Sequence, residues 1–224
     1  MQLKAENAVK EFIREGSGTN IFTAVAESNI ILESGQFTVL TGRSGSGKTT
    51  LLNMLAGLLP PTRGRIMLDG TDLYALDDKR LSRLRNERIG VIPQGQTAVY
   101  SLTVIENVLL PFMLYKEQSS EAEKYARELL ERLDIAPLAN VKPSELSGGE
   151  LRRMSIARAL IRRPSVILAD EPTGDLDDEN TRAVFEFLRR TADEGAAVLT
   201  VTHETDAGQY AHRLMRMNGG RLEE

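Results

Sequence analysis

The chain has 224 residues, a net charge of −4, and apolar (41%) and charged (27%) fractions ordinary for a globular protein with core enough to fold unstapled. It has no cysteine, which excludes a disulfide framework and any thiolate metal site. The mildly acidic balance argues against a nucleic-acid-binding surface, the polar start "MQLKAENAVKEF" carries no secretion-signal pattern, and no apolar run approaches the roughly 18 residues needed to cross a bilayer.

From the N-terminus, "LKAENAVKEFI" and "IFTAVAESNIILESG" alternate apolar and polar residues around a turn-rich "REGSGTN", and read as an antiparallel hairpin or small sheet. "QFTVLTG" is a short apolar strand running into a glycine loop. "KTTLLNMLAGLL" (48–59) has helical spacing and is expected to stop at Pro60-Pro61. "RIMLDG" and "RIGVIPQ" are further short strands. Thr103 with Glu106 and Ser120 with Glu123 make capping boxes for two helices, "VIENVLLPFMLY" and "AEKYARELLERL". After Ser147 helix and strand alternate again through "SIARALIRR", "SVILAD", "NTRAVFEFLRRTADEG" and "AAVLTVTH". Such alternation predicts an α/β fold whose parallel sheet is covered on both faces. The expected organisation is an α/β core of residues 1–93 and 147–224, carrying an N-terminal antiparallel β-subdomain, with an inserted helical lobe at 94–146.

"GRSGSGKTT" (Gly42, Arg43, Ser44, Gly45, Ser46, Gly47, Lys48, Thr49, Thr50) fits G-x-x-x-x-G-K-[ST] and lies between a predicted strand and a predicted helix, the context the motif requires. Small residues let backbone N–H groups curl around phosphates, and a helix N-terminus adds its positive dipole end. Lys48 supplies a mobile charge, and the Thr49 hydroxyl is a ligand for Mg²⁺. "SVILADEP" is an apolar strand ending in two acids. Asp170, at the strand's carboxyl end, is expected beside the phosphate loop to hold Mg²⁺. Glu171 follows, to polarise an attacking water; general base and water-positioning group stand open in the sequence.

"ELSGGELRRMSIARAL" places Gly148-Gly149 at the opening of a helix, at a cost of roughly 1 kcal/mol each relative to alanine. Ser147 and Glu150 make a capping box, yet the box does not explain the glycines. Bare glycines leave the first amides uncovered, so an anion can approach closely. One nucleotide cannot easily fill two anion sites in one chain. A head-to-tail pair resolves this, each nucleotide lying between the phosphate loop of one copy and the Ser147, Gly148, Gly149 corner of the other.

The ordered set "GRSGSGKTT", "LSGGE" and "VILADEP" resembles the ATPase subunits of ABC transporters over essentially the whole chain, most closely the branch serving lipoprotein-releasing and macrolide-exporting permeases. The resemblance implies a P-loop NTPase core, ATP and Mg²⁺ as ligands, closure of a homodimer by ATP binding, and ATP hydrolysis that loosens the pair. It also implies an integral membrane permease as partner, and a peripheral place on the cytoplasmic face of the membrane. Gln94 resembles the glutamine that reaches Mg²⁺ and water, and His203 the switch histidine on the γ-phosphate. Asp175, in "TGDLD", falls in the loop that crosses the dimer seam, and Phe12 where the family stacks an aromatic on adenine. The region from Gln94 to Tyr115 resembles the permease-contacting surface, with Val99, Tyr100, Leu102, Val108, Leu109 and Phe112 as its apolar positions. A mechanotransmission ATPase, whose membrane partner moves no cargo, shares every one of these features.

Overall fold

In the computed structural model, which describes residues 1–14, 20–95, 97–174 and 176–223, the N-terminal alternation forms β1 (Gln2–Arg14) paired antiparallel with β2 (Asn20–Glu33). The pairing shifts register between Ala5 and Glu11, and Asn7 takes φ +49 there, marks of bulges that bend the hairpin. Next come β3 (Phe37–Thr41) and α1 (Lys48–Leu55). This helix ends well before Pro60. Gly57 at φ +70 receives the chain in the left-handed region, its N–H bonding the Met54 carbonyl at 3.1 Å while the Leu58 N–H reaches Asn53 at 3.0 Å. That double wrap, a Schellman motif, stops the helix a turn earlier than the prolines do.

After β4 (Arg63–Leu68) and β5 (Thr71–Asp72), a helix that the sequence pattern does not announce, α2 (Asp78–Arg88), is capped by the Asp77 carboxylate on the Arg80 N–H at 2.8 Å. The chain continues through β6 (Ile89–Ile92), α3 (Val104–Met113), α4 (Ser120–Arg132), α5 (Gly148–Leu160), β7 (Val166–Asp170), α6 (Asp178–Asp193) and β8 (Ala197–Thr202). It ends in β9 (Arg213–Asn218) and β10 (Arg221–Glu223), likewise unannounced. The box at Thr103 and Glu106 forms as expected. For α4 the cap is Ser119, accepting from the Ala122 N–H at 3.1 Å, one residue earlier than expected.

Two sheets result. One is antiparallel, ordered β2-β1-β4-β5; the other is ordered β10-β9-β3-β8-β7-β6, parallel except where β10 turns back on β9. Strands β7 and β8 are buried along their whole length, as strands covered on both faces must be. Their alternate residues go to opposite sides. Val166 and Leu168 join Leu51, Leu52 and Leu55 of α1 and Leu3, Ile30 and Leu32 of the hairpin. Ile167 and Ala169 join α3, α4, α5 and α6 through Val108, Leu129, Met154 and Phe185. Truncating Leu168, fully buried, to alanine costs roughly 2–5 kcal/mol.

Candidate functional site

Strands β3, β8, β7 and β6 lie side by side, so their carboxyl ends bring the 42–50 loop, His203, Asp170 with Glu171, and Gln94 to one edge of the sheet. In the loop, a Cβ on Gly42 would lie 2.3 Å from the Met217 carbonyl oxygen, and one on Gly47, at φ +105, 2.2 Å from that of Ala24. The loop is thus wedged between β2 and β9, with no room for a side chain at Gly42 or Gly47. No side chain caps α1, which leaves its first amides facing the cleft. Lys48 is buried and donates to the carbonyls of Gly42 (2.7 Å) and Arg43 (3.2 Å). Ser46 Oγ is buried without a hydrogen-bond partner, a polar atom waiting for a ligand.

Asp170, 4% exposed, accepts from the Thr49 hydroxyl at 3.2 Å. Burial pushes its carboxyl above the usual range and the neighbouring Glu171 charge adds to that, against the Thr49 hydrogen bond and the Lys48 and Arg152 charges. A buried carboxylate beside a hydroxyl is the hard oxygen pair a divalent cation takes. Among the described residues no group of three or more acidic or histidine side chains is gathered as a cation cage.

Glu171 sits at φ +46, a left-handed conformation costly for a residue with a Cβ. Its N–H bonds the Val201 carbonyl at 2.9 Å. Its Oε2 accepts from the Thr202 hydroxyl (3.0 Å) and the His203 N–H (3.3 Å), and meets His203 Nδ1 at 3.0 Å.

Arginines of α5 hold the segment that follows β6. Arg152, 7% exposed, donates to the carbonyls of Pro93 (2.5 Å) and Gln94 (2.6 Å). Arg158 donates to the Thr97 carbonyl at 2.7 Å and to its hydroxyl. The wholly buried Asn107 then ties residues 99–103 to α3, donating to the carbonyls of Val99 (3.0 Å) and Thr103 (2.9 Å) and accepting from the Val99 N–H (2.8 Å). Sequence reasoning names none of the three, because their partners are remote or carry no motif.

The cleft has a volume of about 700 Å³ and is lined by Ser44 through Thr50, Gln94, Glu171, His203, Ala24 and Phe22. Most sequence-expected residues therefore meet in one place, Asp170 lying under Thr49. The aromatic differs from expectation. Phe12 stands directly opposite Phe22 in the β1–β2 register, but only Phe22 lines the cleft; Phe12 lies under Lys10, whose Nζ is 5.3 Å from its ring centroid. The register puts the two rings on the same face of the hairpin, and their different positions across it, not visible in sequence, leave Phe22 at the cleft. Asp175 lies outside the described residues. The 147–149 corner does not line the cleft of its own chain. It lies in the open, Ser147 exposed and its hydroxyl donating to Glu150 Oε2 (2.8 Å) while accepting the Glu150 N–H (3.3 Å).

A family profile described as ABC transporter matches residues 25–174. The chain is similar to the lipoprotein-releasing system ATP-binding protein LolD of Aquifex aeolicus, 37% identical over 98% of this chain and 95% of that protein. It is also similar to the ABC transporter ATP-binding protein YtrE of Bacillus subtilis, 36% identical over 91% of this chain and 88% of that one. Among solved structures it resembles a dimeric bacterial ABC transporter cassette (TM-score 0.90, 34% identity, 99% and 98% of the two chains). A post-hydrolysis dimer bound to ADP and Pi matches as well, with TM-score 0.89, 34% identity and the same coverage.

Proposed function

The chain belongs to the ABC transporter family as an ATP-binding, ATP-hydrolysing subunit, and from that premise we propose that two copies close head to tail over two ATP molecules to drive a membrane permease. The observation that carries the reading is the 147–149 corner, with Ser147 and Gly148 exposed and Gly149 half-buried, which opens a helix with bare glycines yet takes no part in its own chain's cleft. In the closed pair that corner caps the triphosphate bound to the other copy's phosphate loop.

Within each cleft, the uncapped amides of α1 and the 44–47 turn cradle the phosphates, and Lys48 Nζ exchanges the Gly42 and Arg43 carbonyls for phosphate oxygens. Phe22 offers its ring to the adenine in place of Phe12. Thr49 and Asp170, with Gln94, hold Mg²⁺, which offsets the charge of the phosphates. Glu171 orients and polarises the attacking water, and the His203 ring turns from Glu171 to the γ-phosphate. Asp175 meets the second copy near the seam.

Residues 94–146 move as a lobe against the core formed by 1–93 and 147–224, and α5 of the core, packed on α3 and α4, is the junction between the two. The Arg152 and Arg158 grips carry that motion to Gln94. A groove of about 590 Å³ runs along the edge strand β6, lined by Leu58, Arg85, Ile89, Val91, Leu114 and Tyr115 among others, and receives the permease. Val99 and Tyr100 are exposed beyond it, whereas Val108 is fully buried and belongs to the core, not to any docking surface. Among the described residues no helix is long and apolar enough to cross a membrane, which suits attachment to the cytoplasmic face through the permease. The similarity to a lipoprotein-releasing subunit supports export or extraction of a lipid-like or peptide cargo. Site-specific cross-linking from Leu114 and Tyr100 tests this: a single membrane protein captured from both supports the coupling surface, and capture from neither overturns it.

A further inference from the structure

We propose that Thr202 is the positioning residue that holds Glu171 in its working orientation throughout the ATPase cycle; the inference rests on the role given above to Glu171. Three contacts converge on Glu171 Oε2, donations from the Thr202 hydroxyl and the His203 N–H and a 3.0 Å approach of His203 Nδ1, and among the described residues no hydrogen bond reaches Oε1. Two of the three come from His203. Its ring is the most exposed member of the group, 71% of the side chain, and is required at the γ-phosphate. When it turns there, Glu171 loses that contact.

Thr202 cannot leave. It is the last residue of β8, fully buried, and its hydroxyl accepts the Glu204 N–H at 3.1 Å while donating to Glu171 at 3.0 Å. One lone pair is thus engaged and the single proton aimed at Glu171, which fixes the orientation of the hydroxyl. The ring closes through Glu204 Oε1, which accepts from the Thr173 hydroxyl at 2.5 Å, two residues beyond Glu171. The loop after β7 and the loop after β8 are thereby tied at both ends of a short circuit. The backbone of Glu171 sits in a strained left-handed conformation, held by its N–H on Val201 and by the Gly174 N–H on its carbonyl (3.2 Å), and the side-chain circuit adds the tie that these main-chain bonds do not give its carboxylate. With Oε2 saturated from behind, Oε1 is the oxygen presented to water.

The test compares Thr202→Val, Thr202→Ser and Glu171→Gln in steady-state ATP hydrolysis by the full chain. Loss of alignment of a catalytic group costs about 10- to 100-fold, so Thr202→Val should lose that much kcat with its KM for ATP within about threefold of the parent. Serine keeps the hydroxyl and should hold kcat within about threefold of the parent. A valine variant at parental kcat, a serine variant as slow as valine, or a loss that falls on KM instead of kcat would each overturn the proposal. Should the valine variant fail to fold, Thr202→Ala, which removes bulk along with the hydroxyl, takes its place in the same comparison with serine. Parental turnover by Glu171→Gln would instead remove the role of Glu171 itself, whereas a dead Glu171→Gln beside an unimpaired Thr202→Val isolates the failure to Thr202.

Discussion

At the start of α1 a Cβ on Gly47 would lie 2.2 Å from the Ala24 carbonyl oxygen, whereas at the start of α5 a Cβ on Gly149 would meet only the Leu176 Cδ2 at 3.1 Å. The first contact is backbone and cannot yield. The second is the tip of a half-buried leucine that can turn aside. Gly47 also needs φ +105, while Gly149 lies in the first turn of a regular helix that gains from almost any other residue. One glycine is demanded by the fold of this chain. The other is unexplained by it, and the approach of a second copy proposed above would supply the reason.

Substitutions sharpen that contrast. Gly47→Ala should destabilise the chain by roughly 2–4 kcal/mol in denaturant unfolding, since it adds a left-handed penalty to a backbone collision. Lys48→Ala should leave the fold standing and weaken ATP binding to the single chain by roughly 100-fold, read by calorimetry, because it removes the one mobile cation among the cleft-lining residues described. Gly149→Ala should keep unfolding free energy within about 0.5 kcal/mol of the parent and leave ATP binding by the single chain unchanged, yet cut ATP-driven self-association about tenfold or more. A Gly149→Ala chain that unfolds as readily as Gly47→Ala would erase the distinction between the two corners.

The smallest effect concerns the cap beneath the second corner. The Ser147 N–H, then its hydroxyl, hold the Glu150 carboxyl below its ordinary 4.5. A lowered folded-state value means the cap stabilises fully above that ordinary value and fades as the pH falls through the lowered one. Glu150→Gln should therefore cost about 0.5 kcal/mol or less near neutrality, discounted because the carboxyl is largely solvated, and nothing in acid. Thermal melts of parent and variant at the two pH values check this, and a difference that grows in acid contradicts it.

What is legible in the sequence follows the same division. The phosphate loop, the acids after β7 and the glycine corner are each a contiguous run of residues, because their chemistry lives in consecutive backbone groups, and a contiguous run can be read directly from the order of amino acids. Arg152 carries no local signal, its partners lying 58 and 59 residues back along the chain. Phe22 cannot be found as the cleft-lining ring without knowing how the β1–β2 hairpin sits over the phosphate loop. Helix α2 is hidden because "DKRLSRLRNER" buries only Leu81 and shows scarcely any apolar stripe. Strand β9 reads "RLMRMN", with Met215 and Met217 buried but Leu214 exposed, an alternation blurred by its own arginines.

The central claim, that the second corner serves the other copy's nucleotide, is tested most directly by sedimentation of the hydrolysis-blocked Glu171→Gln chain with and without ATP. The account predicts a dimer with ATP, a monomer without it, and a monomer in both conditions once Gly149→Asp is added, with ATP affinity of the single chain intact. A Glu171→Gln chain that stays monomeric at saturating ATP, or a Gly149→Asp chain that still pairs, would contradict it.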